Sequence, residues 1–315
     1  MRALIVTPAA RGSRSGNRVT ALRLAAHLRS RGATVRVAER WQGQPCDLLV
    51  AVHAKKSAAT ALDAARALPK LRLVVLLAGT DIYPRFQPDA ETLAVLDRAD
   101  ALVALQRRGI ESLPAGMRGK ARTIEQSATA IAAVRAPTFR ACVLAHLRPI
   151  KDPLLAFEAL AHVPRDLPIE VWLAGRALTP ELAAAANAAA ATDARARWLG
   201  ELPRRAAKTM LASSHACIVT SAAEGGSNVV CEAIAAGTPV LCTAIPGNLG
   251  LLGDDWPATF PAGDAAALGA LLRRTASDAT FRSELQRRIH TLQPMVAPER
   301  ERARWFELLG TLGLA

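Results

Sequence analysis

Short apolar and β-branched runs alternate with helix-forming stretches along this chain, and that rhythm constrains its fold more than any other feature. In the first part the candidate strands are Ala3–Pro8, Thr34–Ala38, Asp47–His53, Leu71–Ala78, Ala101–Leu105 and Arg122–Glu125. Strands separated by helices read as βαβ units, which pair into parallel sheets. The first helix is expected from about Asn17 to Arg31, with Leu22, Ala25, Ala26 and Leu28 as apolar positions and Gly32 as its stop. An alanine-rich stretch around residues 129–138, containing Pro137, interrupts the rhythm. It then restarts with Cys142–His146, Glu170–Ala174, Arg197–Leu199, Ala216–Thr220, Pro239–Thr243 and a weak strand near Thr259. Thr179-Pro180-Glu181-Leu182 opens a helix with a capping hydroxyl, a proline in the first turn and an early acid.

A chain of 315 residues exceeds the size at which one core usually keeps growing. The expected fold class is therefore α/β, with two Rossmann-like doubly wound domains, 1–134 and 135–297, facing a cleft. Ligands of such sheets sit outside the carboxyl ends of the strands. Residues 298–315 read as a closing helix, carrying Trp305, Phe306, Leu308 and Leu309, that packs back on the first domain.

Charge narrows the ligand classes. Lys and Arg number 40 against 27 Asp and Glu, a net charge of +13 that attracts anions. The positive charge is dispersed and Tyr83 is the single tyrosine, so a stacking platform for single-stranded nucleic acid is poorly supplied and no nucleic-acid partner is expected. The five cysteines form no C-x-x-C pair and sit mostly in apolar runs, as structural thiols do in a reducing cytosol. The amino-terminal apolar stretch is too short for a signal peptide, and no segment reaches the roughly 18 apolar residues of a membrane span. A soluble, cytoplasmic protein without stable membrane insertion is expected.

The run from Thr220 to Val240 carries most of the chemistry. It reads as strand, glycine turn, helix, glycine stop, strand. Gly225-Gly226 lets backbone approach a ligand, and a helix opening near Ser227 directs unpaired N–H groups and a positive dipole end at it, which suits a diphosphate. Glu224 and Glu232, eight positions apart, bracket that anion site, and a carboxylate near a ribose accepts hydrogen bonds from its vicinal hydroxyls.

This run resembles the E-x7-E signature of the GT-B glycosyltransferases of family 4, and the likeness extends through Pro246-Gly247-Asn248 and Gly263-Asp264. The resemblance implies that Glu232 binds the nucleotide ribose, that Glu224 faces the donor sugar, and that Gly225, Gly226, Ser227 and Asn228 hold sugar and phosphate. It also implies that the first domain is the acceptor side and the second binds the nucleotide sugar. Ala145-His146-Leu147-Arg148-Pro149-Ile150-Lys151-Asp152-Pro153 looks like the family's basic diphosphate clamp, with His146 where an arginine is usual, Lys151 carried over and Arg148 a substitute. A Lys/Arg pair stabilises a departing diphosphate where no metal does. No D-x-D motif occurs in the sequence, so neither metal nor other cofactor is expected.

The opening loop, with Arg11, Arg14, Asn17 and Arg18, lies where the family closes on the reacting sugar. Thr80 and Asp81 follow Ala78-Gly79, and Ala78 stands where many members carry a histidine. His53, at a strand end before Lys55 and Lys56, is a candidate base. Together these motifs are similar, over the whole chain, to the selenosugar synthases of selenoneine biosynthesis. That resemblance implies UDP-N-acetylglucosamine as donor, selenophosphate as acceptor, and acceptor contacts from Arg11, Arg14, Asn17, Arg18, Thr80 and Asp81. The alternatives are a conventional family 4 enzyme with a sugar or lipid acceptor, and a non-enzymatic anion- or RNA-binding protein that keeps the fold.

Overall fold

The computed structural model describes residues 1–83 and 85–314. The chain divides into two compact units. One comprises Met1–Gln126, Glu224–Gly226 and the chain from Pro298 onward; the other comprises Ser127–Ala223 and Ser227–Ala297. The change of unit falls after Gln126, earlier than the expected boundary after residue 134.

In the first unit β1 (Arg2–Val6), α1 (Gly16–Arg29), β2 (Thr34–Ala38), β3 (Leu48–Val52), α2 (Ala54–Ala67), β4 (Arg72–Leu77), α3 (Ala90–Arg98), β5 (Ala101–Ala104), the short turns α4 (Arg108–Glu111) and α5 (Ala115–Arg118), and β6 (Ala121–Thr123) follow in order. The six strands pair in parallel as β2-β1-β3-β4-β5-β6. Leu48 to Val52 are all 0% exposed, because helices cover both faces of such a sheet. In α1 the buried apolar residues are Ala21, Leu24, Ala25 and Leu28, a single stripe at helical spacing, while Leu22 is 47% exposed. The first helix therefore turns a different face inward than its most apolar-looking positions indicate. The terminal helix, Pro298–Thr311, belongs to this unit. Trp305, Leu308 and Leu309 join its core, and the buried Glu301 carboxylate pairs with Arg23 at 2.9 Å and meets His27 at 3.2 Å.

The second unit contains β7 (Phe139–Leu144), α6 (Leu155–Glu158), β8 (Ile169–Ala174), α7 (Pro180–Ala191), β9 (Ala196–Trp198), α8 (Arg204–Ser213), β10 (Ala216–Val219), α9 (Asn228–Ala236), β11 (Val240–Thr243), α10 (Pro246–Leu252), β12 (Thr259–Phe260), α11 (Ala265–Ser277) and α12 (Ala279–Leu292). Its strands, again parallel, run β12-β11-β10-β7-β8-β9. Strand β7 begins at Phe139 rather than Cys142 because pairing with β8 starts at Phe139–Ile169, where an Arg140–Glu170 ion pair at 3.0 Å and stacking of Phe139 on His215 hold the extra residues. All five cysteines are buried, and none forms a disulfide among the described residues. Among the described residues no helix is long and apolar enough to cross a membrane.

Each sheet reverses its strand order once, between β1 and β3 in the first unit and between β7 and β10 in the second. Loops leaving the carboxyl ends of the strands separate there and open a crevice for ligands.

Candidate functional site

At the switch point of the second unit the loop after β7 carries the basic residues and the loop after β10 leads to α9. The two are laced together: the Ala222 N–H donates to Ile150 O at 2.9 Å and Thr220 Oγ1 donates to Lys151 O at 2.8 Å. The basic loop turns tightly, with Lys151 N–H donating to Arg148 O and Asp152 in the left-handed region at φ 40°. Arg148 is exposed, and His146 and Lys151 are half-buried. His146 Nδ1 accepts from the Arg176 N–H at 3.1 Å. A Cβ on Gly175 would sit 1.7 Å from Ala145 O, so only glycine at the end of β8 lets this loop leave β7 as it does. Beneath the other loop, Thr243 Oγ1 donates to Ser221 O at 2.6 Å, and Asn248 Nδ2 donates to Thr243 O at 3.0 Å.

Ser227 is the N-cap of α9, but its side chain makes no capping hydrogen bond. By contrast Asp89, Thr179, Asp264 and Asp278 cap α3, α7, α11 and α12 with their side chains. The dipole of a helix amino end favours an anion. Glu232 lies in the second turn of α9, half-buried. Near it Lys208 donates to Thr129 O and Oγ1, and burial lowers the lysine pKa while the Glu232 carboxylate opposes that shift.

In the first unit the carboxyl ends of β1, β3 and β4 gather the other candidates. Arg11 and Arg14 are exposed and Asn17 is half-buried. Arg18, in the first turn of α1, is 9% exposed and forms no hydrogen bond or ion pair through its guanidinium among the described residues. The first turn of α1 holds no acid, its N-cap Ser15 makes no side-chain capping bond, and Ser15 Oγ and Thr7 Oγ1 are buried without hydrogen-bond partners among the described residues. Buried polar groups are normally satisfied, so these two hydroxyls are open to a ligand, and the Arg18 charge beside them suits an anion.

Asp81, expected to touch the acceptor, has its carboxylate enclosed. Its Oδ2 accepts from Ala54 N–H at 2.8 Å and Ala78 N–H at 3.1 Å, and its Oδ1 accepts from Gly79 N–H at 2.6 Å. A carboxylate holding three amides, with its side chain 0% exposed, shapes the turn. Thr80, carried by that turn, is exposed. His53 caps α2 with φ 75°, and its Nε2 lies 2.9 Å from Thr80 Oγ1. A left-handed non-glycine residue costs about 1–3 kcal/mol and persists where its surroundings over-determine it.

The segment Glu224–Gly226 belongs to this unit and lies against the same turn. A Cβ on Gly225 would come within 2.5 Å of Ala78 C and of Gly79 N and Cα, so the two backbones are in direct contact. Gly226 O accepts from Gln126 Nε2 at 2.6 Å, and the Oε1 of that buried amide accepts from both Thr20 and Arg23. Glu224 is 9% exposed. The structure thus brings the Ala78–Gly79 backbone, which leads to Thr80, against Glu224–Gly225, and in the second unit brings Lys151 beside the loop that leads to Ser227. Sequence reasoning missed Gln126 and Gly175. A glycine directly after a strand was a signal for Gly175; a glutamine after β6 carried none.

Among solved structures the chain is similar to HepE of Anabaena in complex with UDP-glucose, at 16% identity and TM-score 0.80, over 99% of this chain and 100% of that one. Sucrose-phosphate synthase of Thermosynechococcus elongatus is similar at 16% identity and TM-score 0.78, over 99% and 98%. The pneumococcal O-GlcNAc transferase GtfA in complex with UDP and GlcNAc is similar at 14% and 0.68, over 85% and 57%. These likenesses define the class: two parallel doubly wound sheets in the GT-B architecture of glycosyltransferases. The sequence model of the glycosyl transferases group 1 matches residues 131–291, just over half of the chain, and the protein belongs to that family. A comparison with curated proteins finds no match.

Proposed function

We propose that this glycosyltransferase joins selenophosphate to the sugar of UDP-N-acetylglucosamine with release of UDP, the selenosugar-forming step of selenoneine biosynthesis. The observation that carries the anionic acceptor is Arg18, a buried guanidinium with no ion pair among the described residues, in the first turn of a helix whose N-cap Ser15 makes no side-chain capping bond. A UDP-sugar donor is supported by the UDP-glucose held by HepE and the UDP and GlcNAc held by GtfA.

Selenium attacks the anomeric carbon while the bond from that carbon to the diphosphate oxygen breaks, and the bonding pair leaves with UDP. Glu232 accepts hydrogen bonds from the ribose. The amino end of α9 with Ser227 and Asn228 receives the diphosphate, and Lys151 and Arg148 stabilise its growing charge, with His146 alongside. Glu224 meets the sugar hydroxyls, and Gly225 and Gly226 let the sugar approach backbone. Arg11, Arg14, Asn17, Arg18 and Thr80 receive the acceptor, on a turn that Asp81 shapes. A soft selenium nucleophile needs little base activation, which is compatible with alanine at position 78.

The test is anaerobic incubation of the purified protein with UDP-N-acetylglucosamine and selenophosphate, following UDP release and searching by mass spectrometry for a sugar with the selenium isotope pattern. Transfer to an ordinary sugar or lipid hydroxyl without any selenosugar would replace this reading with that of a conventional transferase. Salt-sensitive RNA binding without any turnover would favour the non-enzymatic one.

A further inference from the structure

His53 presents a feature that capping alone does not explain. A left-handed N-cap suits asparagine, whose short side chain tolerates positive φ and caps well. This chain instead holds a buried imidazole there, fixed by the His53 N–H donating to Leu76 O at 2.9 Å and by Ser57 N–H donating to His53 O at 3.1 Å. What the longer ring adds is reach. Its Nε2 touches a hydroxyl 27 residues further along the chain.

The hydrogen-bond pattern fixes the ring's proton. Nδ1 faces the Lys56 backbone N–H at 3.4 Å, and an amide N–H only donates, so Nδ1 is the bare nitrogen. The proton therefore sits on Nε2 and is donated to Thr80 Oγ1 at 2.9 Å. Asp81 Oδ2, 3.8 Å from Nδ1, is too distant to claim a proton and already accepts two amides. Burial keeps the imidazole neutral by lowering its pKa. With one lone pair of Thr80 Oγ1 engaged, the hydroxyl proton turns away from His53. Thr80 is exposed and has no other side-chain partner among the described residues.

We propose that His53 is a positioning residue that occupies one lone pair of Thr80 Oγ1 and turns the hydroxyl proton outward, so that this edge of the acceptor site favours a ligand oxygen that accepts, such as a phosphate-type oxyanion. The proposal rests on the reading that Thr80 meets the acceptor.

The tautomer is read directly from long-range proton–nitrogen NMR of protein labelled in its six histidines, with His53→Asn assigning the signal. A bare Nδ1 with a protonated Nε2 is expected; the opposite tautomer overturns the proposal. Binding of selenophosphate and, separately, inorganic phosphate is then measured by calorimetry for wild type, His53→Asn, Thr80→Ser, Thr80→Val and the double variant His53→Asn/Thr80→Val. His53→Asn keeps the cap and the backbone conformation but cannot reach Thr80. It is expected to weaken anion binding about five- to tenfold, with Thr80→Ser close to wild type and the double variant no weaker than Thr80→Val. UDP affinity stays unchanged throughout. Weakening by Thr80→Val with none by His53→Asn, or full additivity in the double variant, overturns the role of His53 alone. Thr80→Val binding like wild type, or no binding of either anion, overturns the acceptor reading of Thr80 and this inference with it.

Discussion

Replacing Gly225 by alanine adds one carbon where two backbones already touch. That carbon would lie 2.5 Å from three atoms of the Ala78–Gly79 peptide, against an ordinary contact distance near 3.5–4 Å. Relief needs a displacement of about 1 Å, and because the obstructing atoms are backbone, no rotamer change supplies it. The Ala78–Gly79 turn cannot yield easily, since the Asp81 carboxylate holds both of its amides. The Glu224–Gly226 segment is anchored too, through Gly226 O and the Gln126 amide. Overpacking of this kind costs about 1–3 kcal/mol, and a 1 Å misplacement of a positioned group lowers turnover about 100-fold. The assay is kcat/KM for the donor together with urea denaturation. Gly310→Ala, on the exposed side of the terminal helix where an added carbon meets nothing within 4 Å, is the control; it should gain about 0.5–1 kcal/mol of stability. A Gly225→Ala protein matching wild type in both stability and kcat/KM would refute the argument, because the backbone contact would then carry no constraint.

Glu232→Ala should raise the donor KM by removing the ribose partner, whereas Glu224→Ala should mainly lower kcat, as its contacts strengthen while the sugar gains positive charge; steady-state kinetics with UDP-sugar separate the two. Lys151→Ala should lower kcat about 100- to 1,000-fold if the lysine stabilises the departing diphosphate, and wild-type turnover would remove it from that role. Burial holds His53 below its ordinary pKa of about 6.5, against the opposing pull of Asp81. The unfolded chain therefore takes up this proton first as pH falls, so the stability linked to a neutral His53 is fully present above about pH 6.5 and is lost on acidification towards the folded value. Wild type should accordingly lose more unfolding free energy than His53→Asn between about pH 7.5 and pH 5.5, and parallel curves would contradict this. Activity is expected to persist in EDTA, since a helix amino end and basic side chains are assigned to the diphosphate; complete loss restored by added divalent metal would overturn that assignment.

The sequence by itself determined the repeating units. Runs such as Leu48 to Val52 and Leu73 to Leu77, short, branched and apolar at every position, read as strands covered on both faces, and the helices between them favour parallel pairing. Thr220 to Val240 likewise announced a strand, a glycine turn and a helix, because each of those signals is local. Tertiary structure decided what those units bring together. It chose Leu24 over Leu22 as a core residue of α1, since both are apolar and only the packed sheet distinguishes the faces. Glu301 became an anchor through Arg23, 278 residues away, and Gln126 became the support of Gly226 from 100 residues away. The enclosure of the Asp81 carboxylate by three amides and the reach of His53 to Thr80 were likewise set by the fold. Periodicity and capping depend on neighbours within a few residues, so the chain displays them openly. A buried charge or amide is satisfied by whatever group the sheet order carries to it, and that pairing leaves no mark in the local sequence.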